Sequence, residues 1–223
     1  MLSEDSVKRK SLVWNFEKKE TADNFVISKR GQEIEFKGCS GDDSSIMQTA
    51  QPIPRIIKPV SFKVKILDPG ANKQGHGMTG IEIGLTKKIT EEECRLSRED
   101  RMKLGLWYDP FNGGVYNNHD IPKLMVKRSK QGDVVDWQIQ RNRSSEGKFK
   151  TVAVLFLNEK RVGKSFSLED HSFHPTINIA SPGAKVQVEV KGVFNSQRSN
   201  IEYSATFSGF PASEKGKQYR QLS

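Results

Sequence analysis

The chain has 223 residues, 36 Lys and Arg against 27 Asp and Glu, and a formal net charge of +9. That length suits one all-β domain or two smaller ones; strand-like segments recur from Val13 to Val190 without a linker-like shift in composition, which favours one. No apolar run reaches about 18 residues, so no spanning helix is expected, and the acidic start, Met1-Leu2-Ser3-Glu4-Asp5, argues against a signal peptide.

In chain order, residues 1–11 are polar and expected to be a disordered tail. Trp14-Asn15-Phe16 opens the folded part. Residues 24–28 and 33–36 read as a strand pair turning at Gly31. The Ser-, Asp- and Pro-rich stretch 39–55 reads as loop. Residues 60–66 alternate, with Phe62, Val64 and Ile66 on one face and Lys63 and Lys65 on the other. A Gly-rich loop over 68–79 leads into the strand 80–85. Thr90-Glu91-Glu92-Glu93 is a capping box, and Gly105 is a terminator, so the one helix is expected over 91–104. Around Asn112-Gly113 two aromatic segments form a hairpin, because both residues tolerate positive φ.

The centre of the chain lies further on. Val135, Trp137 and Ile139 share one face of a strand, with Asp136 and Gln138 on the other. Residues 151–157 are apolar on both faces, as in a central strand covered on two sides. Strands follow over 173–179 and 185–190. Phe207-Ser208-Gly209-Phe210-Pro211 is apolar enough to dock on the domain, and 212–223 reads as a polar tail.

Several functions find no support. Gly75-His76-Gly77-Met78-Thr79-Gly80 fits a dinucleotide fingerprint only in letters, since its glycines run into a strand instead of opening a helix. Gly163-Lys164-Ser165 ends like a phosphate-binding loop, but Asn158 stands where the first Gly is required. His76, His119, His171 and His174 have no metal-ligand spacing with Cys39 or Cys94. No nucleophile, base or carboxylate pair is grouped, so no catalysis, cofactor or metal is expected. The basic clusters (Lys8-Arg9-Lys10, Lys127-Arg128 with Lys130, Arg141 with Arg143) are interspersed with acids, and no aromatic ladder interleaves them. They read first as solvated surface, with a polyanion surface as the alternative. Without leader or disulfide framework, an intracellular chain with free thiols is expected, cytoplasmic or nuclear.

Gly132-Asp133-Val134-Val135, followed by Phe156, Asn158, Gly163 and Phe166, resembles the late strands of the SPRY (B30.2-like) family. Glu159 stands where that family usually has Gly, and Asp136 where it often has Gly. Gly80-Ile81-Glu82-Ile83-Gly84-Leu85 is similar to another of its strands, and Trp107, Tyr108, Gly113, Gly114, Tyr116 and Asn117 match its aromatic hairpin. The resemblance runs from Trp14 to Val190. It implies an all-β, antiparallel sandwich of concanavalin-like jelly-roll type with one short helix, over residues 12–191, followed by an extension over 192–223 that docks in part. It also implies a non-enzymatic module that binds a peptide or protein partner through loops at one end, as a substrate or scaffold adaptor. Those loops are 68–78, 107–116, 128–130 and 141–148. Tyr108, Phe111 and Asn112 are then expected as aromatic and amide contacts, and Arg128, Arg141 and Arg143 as partners for an acidic ligand. A monomer is expected, with no membrane contact. A nucleic-acid-associated module using the basic loops on phosphates is the runner-up.

Overall fold

A computed structural model describes residues 10–16, 23–28, 32–38, 45–50, 52–53, 59–71, 80–94, 96–143, 149–168, 172–192 and 202–206. The first strands are β1 (Lys10–Phe16), β2 (Phe25–Ser28), β3 (Glu33–Phe36), β4 (Ser45–Thr49), β5 (Val60–Asp68) and β6 (Ile81–Thr86). Two short helices follow, α1 (Glu91–Cys94) and α2 (Arg98–Met102). Then come β7 (Gly105–Tyr108), β8 (Gly114–Asn117), β9 (Leu124–Met125), β10 (Val134–Arg143) and β11 (Phe149–Leu157). The last are β12 (Lys160–Leu168), β13 (His174–Ile179), β14 (Lys185–Gly192) and β15 (Glu202–Thr206).

These strands form two layers. One sheet runs β12-β11-β10-β5-β14, with β3 and β15 along the far side of β14; the other runs β4-β13-β6-β7-β8-β9. β1 joins them, its first half parallel to β15 and its second half antiparallel to β4. The layers close over the faces that the sequence marks as apolar. Phe62, Val64 and Ile66 of β5, Trp137 of β10 and Ile83 of β6 are all fully buried. The Trp137 indole N–H donates across the core to the Ile83 carbonyl at 3.2 Å, so the largest inward side chain leaves no donor unmet.

Several expectations change. Ser45–Thr49, expected as loop, is a strand pairing with β13. β11 is the penultimate strand of its sheet, not a central one: Ala153 and Leu155 face the core and are buried, and on the other face Val154 is buried while Val152 and Phe156 are partly exposed. The sheets also reach beyond 12–191, since β1 starts at Lys10 and β15 lies in the C-terminal extension. Cys39, His76, His171, residues 207–211, the tail 212–223, the early part of the N-terminal segment and the Cys94 side chain lie outside the described residues.

The helix expected over 91–104 is present as two pieces. The capping box forms as read, Thr90 N–H to Glu93 Oε2 at 2.9 Å and Glu93 N–H to Thr90 Oγ1 at 3.3 Å. Ser97, however, has non-helical backbone (φ −55, ψ 161) and accepts the Asp100 N–H at its hydroxyl, so it starts a separate helix as its N-cap.

Two backbone details set up tests. The β11–β12 turn is tight, and Asn158 (φ 50) and Glu159 (φ 66) both occupy the left-handed region, as a two-residue hairpin turn requires. Glu159→Gly is expected to raise stability by up to about 1 kcal/mol in urea denaturation; unchanged or lower stability would show that the turn carries no strain. At Gly84 a Cβ would stand 2.6 Å from Trp107 Cε3 and 2.7 Å from the Leu106 carbonyl oxygen. Gly84→Ala is therefore expected to cost about 1–3 kcal/mol on the same measurement.

Candidate functional site

Strands that alternate usually show one face to water, but β6 and β13 are buried on both. The segment 87–104 covers the outer face of their sheet and packs Ile89 and Met102 against Ile46, Trp107 and Tyr116. Polar groups fasten this cover. At one end Gln48 donates to Thr86 Oγ1 (2.6 Å) and to the Lys87 carbonyl (2.9 Å), and accepts the Ile89 N–H (2.9 Å). In the middle the Trp107 indole N–H reaches the Arg101 carbonyl at 3.1 Å.

At the other end a single guanidinium bridges two buried carboxylates. Arg98 donates from Nε to Glu82 Oε1 at 2.6 Å and from Nη2 to Asp109 Oδ2 at 2.9 Å, and lies 5.3 Å from the centre of the Tyr116 ring. Glu82 also accepts from Asn178 Nδ2 at 2.8 Å. Burial works against the charge on Arg98, yet Glu82, Tyr116 and Asp109 outweigh it, and the guanidinium is held above its ordinary range. Asp109 is the weaker claimant. Burial, then the neighbouring Glu82 charge, pushes it up to about 6, against the pull of Arg98 and two backbone N–H groups.

Asp109 carries this anchor to the end of the sandwich. Its Oδ1 accepts the N–H groups of Phe111 (2.9 Å) and Asn112 (3.2 Å), and its carbonyl accepts Gly113 N–H (2.9 Å). Gly113 alone in this turn has positive φ (80°), and a Cβ there would strike the Val126 carbonyl. Residues 126–130 lie directly on the turn: Val126 N–H donates to the Gly113 carbonyl (2.8 Å) and Ser129 N–H to the Pro110 carbonyl (2.7 Å). From below, the Tyr108 hydroxyl donates to the Lys127 carbonyl (3.0 Å) and accepts from the Ser129 hydroxyl (2.8 Å). Ser129 is thereby buried while Lys127, Arg128 and Lys130 stand exposed on fixed backbone beside half-buried Phe111. Asp133 holds the far end, accepting Lys130 N–H (2.9 Å) and Asn158 Nδ2 (2.8 Å). Burial opposes its charge, but Asn158, the Lys130 amide and the nearby lysines prevail and keep its carboxyl below the ordinary value.

The six expected contact residues separate into three groups. Phe111, Asn112 and Arg128 come together at this end. Tyr108 is corrected: it is fully buried, its hydroxyl is used on the 127–129 segment, and burial pushes it up to about 12, so it supports the surface without facing a partner. Asn112 is also engaged, donating to Tyr116 and accepting Gly114 N–H. Arg141 and Arg143 are corrected in place. Val134 pairs with Lys65, Ile139 pairs with Val60, and Arg141 lies further on, about 23 Å along β10 from Val134. Arg141 therefore stands toward the opposite end; the Arg143 side chain and residues 144–148 lie outside the described residues, as do 72–79 of the 68–79 loop. The residues that sequence reasoning missed are Arg98, Glu82, Asp109 and Ser129. Only Asp109 left a signal, an Asp two residues before an aromatic and four before Gly, the pattern of a side chain capping a turn.

A concavity of about 510 Å³ lies on the outer face of the first sheet, among Lys63, Lys65, Asp136, Glu159, Gln187 and Glu189. Three carboxylates offset its two lysines, so it offers no basic surface to an acidic ligand. Among the described residues no three His, Cys, Asp or Glu side chains converge on a point where a metal ion would sit, and no helix is long and apolar enough to cross a membrane.

The Arg98 bridge gives two expected outcomes. Arg98→Met removes the cation between two buried carboxylates and is expected to cost about 3–5 kcal/mol in urea denaturation, partly recovered by adding Glu82→Gln and Asp109→Asn. The pH dependence follows from the raised Asp109 value. Folded Asp109 keeps its proton between about pH 4 and pH 6 while the unfolded chain has lost it, so this group's stabilisation is complete below about pH 4 and is lost as pH rises through about 6. The stability of the wild type relative to Asp109→Asn should fall across that window and stay level above it.

No family model and no curated protein matches the sequence. Among solved structures the chain is similar to a human SPRY domain, with a TM-score of 0.55 and 18% identity, covering 74% of this chain and 94% of that one. It is similar also to the SPRY domain of human HERC1 (TM-score 0.52, 14% identity, 78% of this chain and 96% of that one). The TRIM65 PSpry domain aligns with a TM-score of 0.50 and 10% identity, over 81% of this chain and 93% of that one. At these identities the likeness is one of fold, and it agrees with the strand patterns and the aromatic hairpin: the chain folds as a SPRY-like β-sandwich.

Proposed function

We propose that the chain is a protein-interaction module that recognises a peptide or protein partner on the end of the sandwich formed by residues 109–113 and 126–130, without catalysis of its own. The observation that carries this reading is the buried Ser129 between exposed Lys127, Arg128 and Lys130. Tyr108 and the Pro110 carbonyl hold Ser129 from two sides, so three cations are displayed without the entropy cost of ordering a loop on binding. Half-buried Phe111 beside them offers an apolar anchor in reach of the same partner. A SPRY-like fold supports a protein-interaction module in general, and a role as substrate or scaffold adaptor is the form of it that we propose here.

The same cations favour a second reading, a module that contacts nucleic-acid phosphates, and the two differ in salt dependence. The test is capture from lysate by the full chain, by Arg128→Glu and by Phe111→Ala, each with nuclease and at two salt concentrations. The expected result is a discrete protein that survives nuclease and is lost about tenfold or more with either substitution. Capture unaffected by both substitutions would remove this surface, and capture that vanished with nuclease would favour the phosphate reading.

A further inference from the structure

One flank of the sandwich brings together the terminal strands of both sheets. β12 ends one sheet and β9 the other, and Leu124 of β9 lies so close over Gly163 of β12 that a Cβ at 163 would collide with it. Asn158 ties the start of β12 to the 130–133 segment through Asp133. Exposed cations line both sides of this seam, Lys127, Arg128 and Lys130 on one and Lys160, Arg161 and Lys164 on the other. None of these six forms an ion pair with a described residue. The acids nearby are Glu159 and Asp133, and Asp133 is already bonded to the Lys130 amide and to Asn158.

β12 adds a second feature. It has nine residues and pairs with β11 on one side only, so among the described strands its other edge faces no partner. Edge backbone of this kind offers alternating N–H and C=O groups. Only an extended polypeptide supplies the matching alternation; a polynucleotide brings acceptors for the N–H groups but no run of donors for the carbonyls. The large hydrophobic side chains exposed among the described residues, Val26, Ile121 and Met125, are aliphatic and so unsuited to stacking bases. The chain's own C-terminal tail is a poor occupant because it carries Lys215, Lys217 and Arg220 against Glu214. A second copy of β12 would set like charges against one another.

We propose that this seam seats an extended acidic segment of a partner protein, which adds as a strand to the free edge of β12. Carboxylates of the added strand meet the exposed cations along the seam. The inference rests on the interaction-module reading and extends its surface from Arg128 across to β12.

The test uses the full chain and a fluorescein-labelled peptide of about ten residues alternating Glu and Val, followed by anisotropy. Competitors are the same peptide with alternate amides N-methylated, and a DNA duplex. The expected result is saturable peptide binding that weakens about tenfold or more on N-methylation and to a similar extent in Arg161→Glu/Lys164→Glu, a variant altering only exposed side chains whose fold is verified by circular dichroism. Equal binding of the N-methylated peptide would reduce the seam to a diffuse charge effect and overturn strand addition. Preferential binding of the duplex, no peptide binding, or indifference to the charge reversals would overturn it as well. If peptide binding fails while partner capture still depends on Arg128 and Phe111, this inference falls and the interaction-module reading stands; if capture is also indifferent, both fall.

Discussion

One half-buried guanidinium ties the cover over the second sheet to the turn at the end of the sandwich. Arg98 lies between Glu82 on β6 and Asp109 at the end of β7. Its two bonds do different things. The one to Glu82 fastens the cover segment 87–104 to the outer face of its sheet, converting a face that would otherwise be wet into a second, smaller core. The one to Asp109 fixes the residue that caps the 109–113 turn, and that turn in turn supports 126–130. A buried ion pair is weak evidence for stability by itself, because desolvation offsets much of the Coulomb attraction. Here its consequence is geometric: a chain of short bonds runs from α2 through Asp109 and the turn to the exposed cations of 127–130.

Much of the fold could be read from periodicity. The alternation of Phe62, Val64 and Ile66 and of Val135, Trp137 and Ile139 gave strands whose buried faces are the ones found, and Thr90 with Glu93 formed the capping box that their spacing specifies. What could not be read depends on distance across the fold. Arg98 and its carboxylates are separated by 16 and 11 positions along the chain, and nothing in a local window marks them as partners. Ser97 looks like one more polar residue in an acidic helix until its hydroxyl is seen capping α2. Strand burial misleads in the same way: Glu82, Thr176 and Asn178 alternate as solvent-facing residues should, and only the cover above them makes them buried.

The candidate site shows the same division. Phe111, Asn112 and Arg128, grouped in the sequence reading, do meet at one end of the sandwich. Tyr108 was misassigned because an aromatic at the end of a strand looks the same whether it points to water or into the core; its hydroxyl, meeting two groups of the 127–129 segment, settles its direction. Arg141 and Arg143 failed through strand length. β10 runs from Val134 to Arg143 without a break, and an uninterrupted strand carries its two ends to opposite ends of the sandwich. The same geometry explains how a scattered positive charge becomes a local one. Lys127, Arg128 and Lys130 are far in sequence from Lys160, Arg161 and Lys164, yet the edge strands bring both groups to one flank.

The central claim is that residues 109–113 and 126–130 form one preformed surface held from beneath, and amide hydrogen exchange on the free chain tests it most directly. The account predicts that the amides of Gly113, Val126 and Ser129, each bonded to a carbonyl of the opposing segment or turn, exchange together and as slowly as the inner amides of β10. Exchange of those three amides at the rate of the exposed loop around 118–121 would contradict it, and would mean that the surface is assembled only when a partner binds.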